Sequence, residues 1–325
     1  MAASAFLFTL AGCGGAATSA PPPPPPGSYP GVAFSGKAMA GSQPIVGAAI
    51  QLYAAGTTGN GSAATSLLTT ALTTDATGTF TAPAAYPCPS ATSQLYLIAS
   101  GGKVGSAAAN PAITLTTVLG VCNQLAASSQ FVLNEVTTTA TVWALSQFFS
   151  ASTALGASST NAQGLANAVA TAASLANLTT GASPGAAFPA TGTSPAPRIN
   201  SIANLLNTCT AATSQTPCTQ LFTATTPASG TAPTNTFAAT LNLVRNPANN
   251  VAGIYTQSTA STAFAPALSK APADWTLFLS YTGGGMNYPT ALGLDSTGNV
   301  WVASYFGVAS KFSPTGSPIF ASGIT

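Results

Sequence analysis

Apolar residues change their spacing twice along this chain, so it has to combine sheets with helices. Between Val32 and Leu119 they alternate. Val46, Ala48, Ile50 and Leu52 share one face of a predicted strand, Leu95 to Ala99 makes another, and Leu67 to Thr74 reads as a Thr-rich third. Gly, Pro and Asn separate these runs, as in a β-sandwich. From about Ser128 to Lys270 the spacing becomes helical. Leu133, Val136 and Ala140 form one stripe. Leu165, Ala168, Val169, Ala172 and Leu175 form a second, stopped near Gly181, and Ile199, Ile202, Leu206 and Cys209 a third, starting at Pro197. Phe237, Leu241 and Val244 predict a fourth helix. Asn246-Pro247 predicts the cap and first turn of a fifth, through Val251, Ile254 and Tyr255. Alternation returns at Trp275, Leu277, Leu279 and Tyr281, and Gly283 to Gly285 break it. The expected fold class is multidomain α+β, with a β-sandwich over 31–125, a small helical bundle over 126–270 and further strands over 271–325.

Charged residues make up 3% of the chain and leave a net charge of +2, where ordinary domains carry about 25%. Such a surface has no basic field for nucleic acid and no acidic one for cations. It must be covered by Thr, Ser, Asn, Gln and Ala. Histidine is absent, which removes the commonest general base and metal ligand. No catalytic constellation stands out, and no cofactor is expected. Between Ser128 and Lys270 the charged residues ahead of Lys270 are Glu135, Arg198 and Arg245. A lone acid on the first helix, with two arginines elsewhere, predicts a structural ion pair, partly buried, with a pocket acid as the alternative. Asn161, Asn167, Asn200, Asn204, Asn207 and Asn242 recur on the predicted helices. They could line a sugar site, though such residues more often cap helices and solvate faces.

Ahead of the strands, Phe6-Leu7-Phe8-Thr9-Leu10 is a short apolar run ending in Leu10-Ala11-Gly12-Cys13. These residues resemble a bacterial lipoprotein signal, whose lipobox cysteine is acylated and becomes the mature N-terminus. The resemblance implies a signal peptide over 1–13, lipid on Cys13 and a membrane as partner. Pro21 to Pro26 would form a semi-rigid spacer within a Pro-rich linker over 14–30. No other segment reaches the roughly 18 apolar residues of a spanning helix. The expected state is therefore lipid-anchored and extracytoplasmic, in the periplasm or at the cell surface. With Cys13 set aside, Cys88, Cys122, Cys209 and Cys218 remain, an even number that implies disulfides in an exported chain. Pairing Cys88 with Cys122 and Cys209 with Cys218 is expected, because each pair then falls within one predicted domain. Metal binding by these four is disfavoured, since no CxxC pair is present.

Two further stretches resemble known families. Pro44-Ile45-Val46-Gly47-Ala48-Ala49-Ile50-Gln51-Leu52, followed by Thr74-Asp75-Ala76-Thr77-Gly78-Thr79-Phe80, resembles the carboxypeptidase-regulatory-like (prealbumin-like) sandwich, which is usually a spacer or adhesion module. Asp75 then reads as a turn residue. Tyr288-Pro289 through Val302-Ala303 resembles an NHL-type β-propeller repeat. In that pattern Asp295, Gly298 and Asn299 tie the repeat turn, and Lys311 to Gly316 and Pro318 to Ala321 continue as third and fourth strands. A propeller needs about 4–8 blades, so the blade is expected to be incomplete and the chain a fragment, with Trp275 to Tyr281 pairing with a blade not present. Together the resemblances imply a non-enzymatic cell-envelope protein that acts as a binding or scaffold module for a protein or glycan. One alternative is a truncated enzyme resembling the streptogramin lyases, whose active site would be missing. The other is a carbohydrate-binding or adhesive surface module.

Overall fold

The structure, a computed structural model, describes residues 28–324. Cys13 and the proline run Pro21 to Pro26 lie outside the described residues. The principal strands of the first half are β1 (Phe34–Ala40), β2 (Gln43–Val46), β3 (Ala49–Ala54), β4 (Thr79–Ala82), β5 (Gln94–Ser100), β6 (Thr114–Val121) and β7 (Gln130–Leu133). In one sheet β1 pairs antiparallel with β2 and β4 and parallel with β7, where Phe131 sits opposite Gly36. In the other, β5 lies between β3 and β6, antiparallel to both.

The two sheets share an apolar core. Phe34, Ile45, Phe80 and Phe131 from the first meet Ile50, Leu52, Leu95, Leu97 and Leu115 from the second. Side chains alternate across a strand, so Tyr96, Ile98 and Val118 face the other way. They join Val142, Phe148, Leu165, Val169 and Phe237 in a second cluster. Strand β5 is thus covered on both faces, which explains why it reads as a continuous apolar run.

Six helices follow: α1 (Glu135–Ala144), α2 (Ala162–Leu175), α3 (Ala196–Thr210), α4 (Thr216–Thr225), α5 (Thr236–Arg245) and α6 (Val251–Ser258). Asn134 caps α1: its side chain accepts from the Thr137 amide, and Thr137 Oγ1 accepts from the Asn134 amide. Helix α1 is central and packs against β6, α2, α3 and α5. Ile199, Ile202 and Leu206 of α3 meet Val136, Leu221, Leu243 and Ile254 from four other helices.

These helices also close the outer edge of β6. Thr236 Oγ1 accepts from the Thr114 amide at 2.9 Å and donates to the Thr114 carbonyl at 2.7 Å. Thr138 Oγ1 accepts from the Thr116 amide at 3.0 Å, and Thr137 Oγ1 donates to the Thr116 carbonyl at 3.2 Å. A second side-chain ladder runs along α3 and holds the irregular segment 261–268. Asn200 donates to the Pro266 carbonyl. Asn204 bonds both backbone groups of Phe264. Asn207 accepts from Ser261, and Ser201 from the Leu268 amide.

Several expectations change here. The boundary expected at 125–126 separates β6 from β7, yet β7 completes the sheet of β1, and the helices pack on the sheet of β6 rather than as a separate bundle. Leu67 to Thr74 is not one strand; the two-residue strands Thr65–Ser66 and Leu72–Thr73 pair separately with β3. Helix α4, which no predicted element covered, contains Cys218 and runs on to Thr225. Asn246 ends α5 rather than starting a helix, and α6 begins after Asn250, whose backbone is left-handed at φ 45°. Trp275 and Leu277 are buried in the helical cluster, and the Trp275 amide bonds the Pro247 carbonyl. Of that expected strand, Ser280–Tyr281 forms and pairs with Gly192–Thr193.

The C-terminal sheet contains β8 (Pro289–Leu294), β9 (Val300–Ser304) and β10 (Ala309–Phe312), all antiparallel. Pro318 to Ala321 does not form the expected fourth strand; isolated bridges tie Pro318 to Phe312 and Ile324 to Ala309.

Thr236→Val keeps the side-chain volume but strips the Thr114 amide and carbonyl of their partner. Each buried orphan costs about 1–3 kcal/mol, so urea denaturation should show a loss of about 2–6 kcal/mol.

Candidate functional site

Glu135, the first residue of α1, is fully buried. Its Oε1 accepts from Asn207 Nδ2 at 2.9 Å and from the Thr210 hydroxyl, and its Oε2 accepts from the Gly41 amide at 3.1 Å. One carboxyl therefore ties α1 to α3 and to the turn between β1 and β2. Burial pushes its pKa up, while the bonds from Thr210, Asn207 and Gly41 act in the opposite sense.

The expected ion pair does not form. Arg198 lies 4.0 Å from Asp274, donates to the Thr276 carbonyl and sits 5.7 Å over the Phe278 ring. Arg245, at the end of α5, donates to the carbonyls of Ser146 and Phe149 beyond α1. A guanidinium beside Glu135 would have to shed its water, a penalty that three neutral donors avoid.

The remaining carboxylates hold turns and a loop. Asp75 Oδ1 accepts from the Thr77 amide and hydroxyl and from the Thr79 amide, and the Thr77 hydroxyl contributes most to holding its pKa below the usual range. Asp295 repeats the arrangement with the amides of Thr297 and Asn299 and the Thr297 hydroxyl. Its Oδ2 also accepts from Asn299 Nδ2 at 2.9 Å and Trp301 Nε1 at 3.2 Å, and pairs with Lys311 Nζ at 3.1 Å. The Asn299 and Thr297 side chains lead in holding its pKa far below the carboxylate range. Gly298 is doubly constrained. Its φ is +82°, and a Cβ there would meet Asn167 Nδ2 of α2 at 2.4 Å. Asp274 bonds the Thr276 amide, which with Arg198 lowers its pKa. All four acids of the chain therefore do structural work.

Two disulfides are closed. Cys88–Cys122 joins the approach to β5 to the end of β6, and Cys209–Cys218 joins the last turn of α3 to the first turn of α4. Among the described residues no three His, Cys, Asp or Glu side chains gather as a metal site. Asn200, Asn204 and Asn207 are buried and spent on segment 261–268 and Glu135. That role could not be read from spacing, because the segment they hold lies about 60 residues away in sequence.

Apart from Phe278, the most exposed large apolar side chains lie in the C-terminal sheet and its loops. Tyr288, Leu292, Leu294, Tyr305 and Phe306 are all exposed, and the Phe306 ring meets Tyr288 and Tyr305 edge-on at 5.4 and 5.2 Å. All six residues of β8 are exposed.

Glu135 gives stability an unusual pH dependence. Its folded pKa is raised, so the folded state binds the extra proton and its stability falls as pH rises from about 4.3 toward the folded value. Asp75, Asp274 and Asp295 are depressed, so their contributions are present above about 3.9 and are lost in stronger acid. With no histidine to intervene, denaturation curves should show maximal stability near pH 4 to 5 and a decline above it of at most about 1.4 kcal/mol per pH unit. Glu135→Gln should flatten that decline.

Comparison with protein-family models, with curated proteins and with solved structures gave no match.

Proposed function

We propose that the protein is a non-enzymatic cell-envelope lipoprotein, tethered through lipid on Cys13, that works as a binding or scaffold module. The observation that carries the binding role is the exposed apolar surface around β8, formed by Tyr288, Leu292, Leu294, Tyr305 and Phe306. A sheet that leaves such side chains in water has a face to offer a partner. Three further observations favour the reading. Two closed disulfides suit an oxidising compartment. No described helix is long and apolar enough to cross a membrane. Every carboxylate is committed to holding the fold, which leaves none for acid–base work. Within this reading the two packed sheets correspond to the prealbumin-like sandwich, and β8 to β10 to an NHL-type blade whose turn is tied by Asp295.

Anchoring is tested by expressing the full chain and its Cys13→Ser variant in a bacterial host. The parent should partition with membranes and into detergent, and its mature N-terminus should carry acyl mass on Cys13. The variant should appear in the aqueous fraction. A parent that stays aqueous and keeps Met1 would overturn the anchor.

A further inference from the structure

A groove of about 490 Å³ opens where the β3–β5–β6 sheet meets the start of α2. Its walls come from residues 55–57 after β3, residues 90–94 leading into β5, Val121 at the end of β6, and residues 157–166 entering α2. That volume lies within the ordinary range of small-molecule sites.

The chemistry of the lining is specific. No charged side chain reaches it. Val121 and Leu165 supply apolar surface, and Thr57, Ser158 and Gln163 supply hydroxyl and amide groups. The side-chain oxygen of Gln94 is buried and has no hydrogen-bond partner. On the wall that enters α2, a single 3-10 turn over Ser159–Asn161 runs into the helix, and Asn161 makes no capping bond. The groove therefore carries neutral donors and acceptors on both walls, with the unmet acceptor of Gln94 buried within one of them.

The walls are held before any ligand arrives. The Cys88–Cys122 disulfide ties the 90–94 segment to the end of β6, and the amides of Cys122 and Asn123 bond the carbonyls of Ser93 and Ala91 at 3.0 Å. The Ala55 amide bonds the Gln94 carbonyl at 2.9 Å, and the Ala157 amide bonds the Gly56 carbonyl at 3.1 Å. A preformed site avoids the ordering cost of a floppy one.

We propose that this groove binds a short, uncharged oligosaccharide. Sugar hydroxyls both donate and accept, so they can meet the side chains of Thr57, Ser158 and Gln163 together. Their C–H faces suit Val121 and Leu165, and the lining supplies no charged side chain to pair with a phosphate, carboxylate or ammonium group. The inference rests on the reading of the protein as a binding module, but neither on its anchor nor on the C-terminal sheet.

The test is titration of the full chain, as its soluble Cys13→Ser variant, with maltotriose, cellotriose, the N-acetylglucosamine trimer and an uncharged Ala/Thr peptide, followed by amide NMR. At least one sugar should give saturable shifts confined to residues 55–57, 90–94 and 157–166, including the side-chain amides of Gln94 and Gln163. Ala166→Trp, which fills the groove, should weaken binding at least tenfold, and Gln94→Ala several-fold, with melting temperatures near that of the parent. Saturable peptide binding without sugar binding, or silence toward all three sugars, would overturn the proposal. Sugar binding unaffected by both variants would place the ligand elsewhere and leave the binding-module reading standing.

Discussion

The outer edge of β6 is the constraint on which the rest of the structure depends. An edge strand presents a row of unpaired amides and carbonyls. Here the row is closed by threonines rather than by another strand. Thr236 serves both backbone groups of Thr114, and Thr137 with Thr138 serves those of Thr116. A hydroxyl can donate and accept at once, so one side chain replaces the strand partner at Thr114, and two share that work at Thr116. The same bonds fix the rotation of α1 and α5 on the sheet. Once those helices are set, α2 and α3 have faces to pack against, and strands and helices become a continuous core.

Scarcity of charge shapes the interior as well as the surface. Where another protein would answer a buried carboxylate with an arginine, Glu135 is answered by an amide side chain, a hydroxyl and a backbone N–H. Where an irregular segment needs fixing, α3 supplies an asparagine ladder. The arginines go to carbonyls and to Asp274 near helix ends. Neutral dipoles carry the polar structure, and they leave behind a neutral groove and an apolar sheet face. The proposed role as a binding module assigns recognition to both.

One turn recurs three times. Asp75-Ala76-Thr77-Gly78-Thr79 and Asp295-Ser296-Thr297-Gly298-Asn299 share the same bonds, with the first amide bonded to the fifth carbonyl and the glycine amide to the first carbonyl. Ser313-Pro314-Thr315-Gly316-Ser317 keeps those two backbone bonds with a serine in place of the aspartate. The glycine takes positive φ each time, at 74°, 82° and 88°. The motif crosses from the second sheet into β4 at Asp75 and closes the β8–β9 hairpin at Asp295, so a resemblance built on it reports the turn more securely than the family.

Local chemistry was legible in the sequence. Alternation located β3 and β5, helical spacing located α1, α2, α3 and α5, the Asp-x-Thr-Gly pattern located its turns, and domain proximity matched the cysteine partners. These features act over a few residues, so their signal survives in one dimension. The tertiary structure decided what depends on distant partners. Trp275 alternates with its neighbours like a strand residue, but burying a large indole beside α3 and α6 outweighs that preference. Helix α4 has a short apolar stripe and was hidden beside its disulfide. Glu135 acquired its partners only when α3 and the β1–β2 turn converged on it from 72 and 94 residues away. The sequence chose the pieces, and the satisfaction of buried polar groups chose their neighbours, because that requirement can be met only after the chain has folded around them.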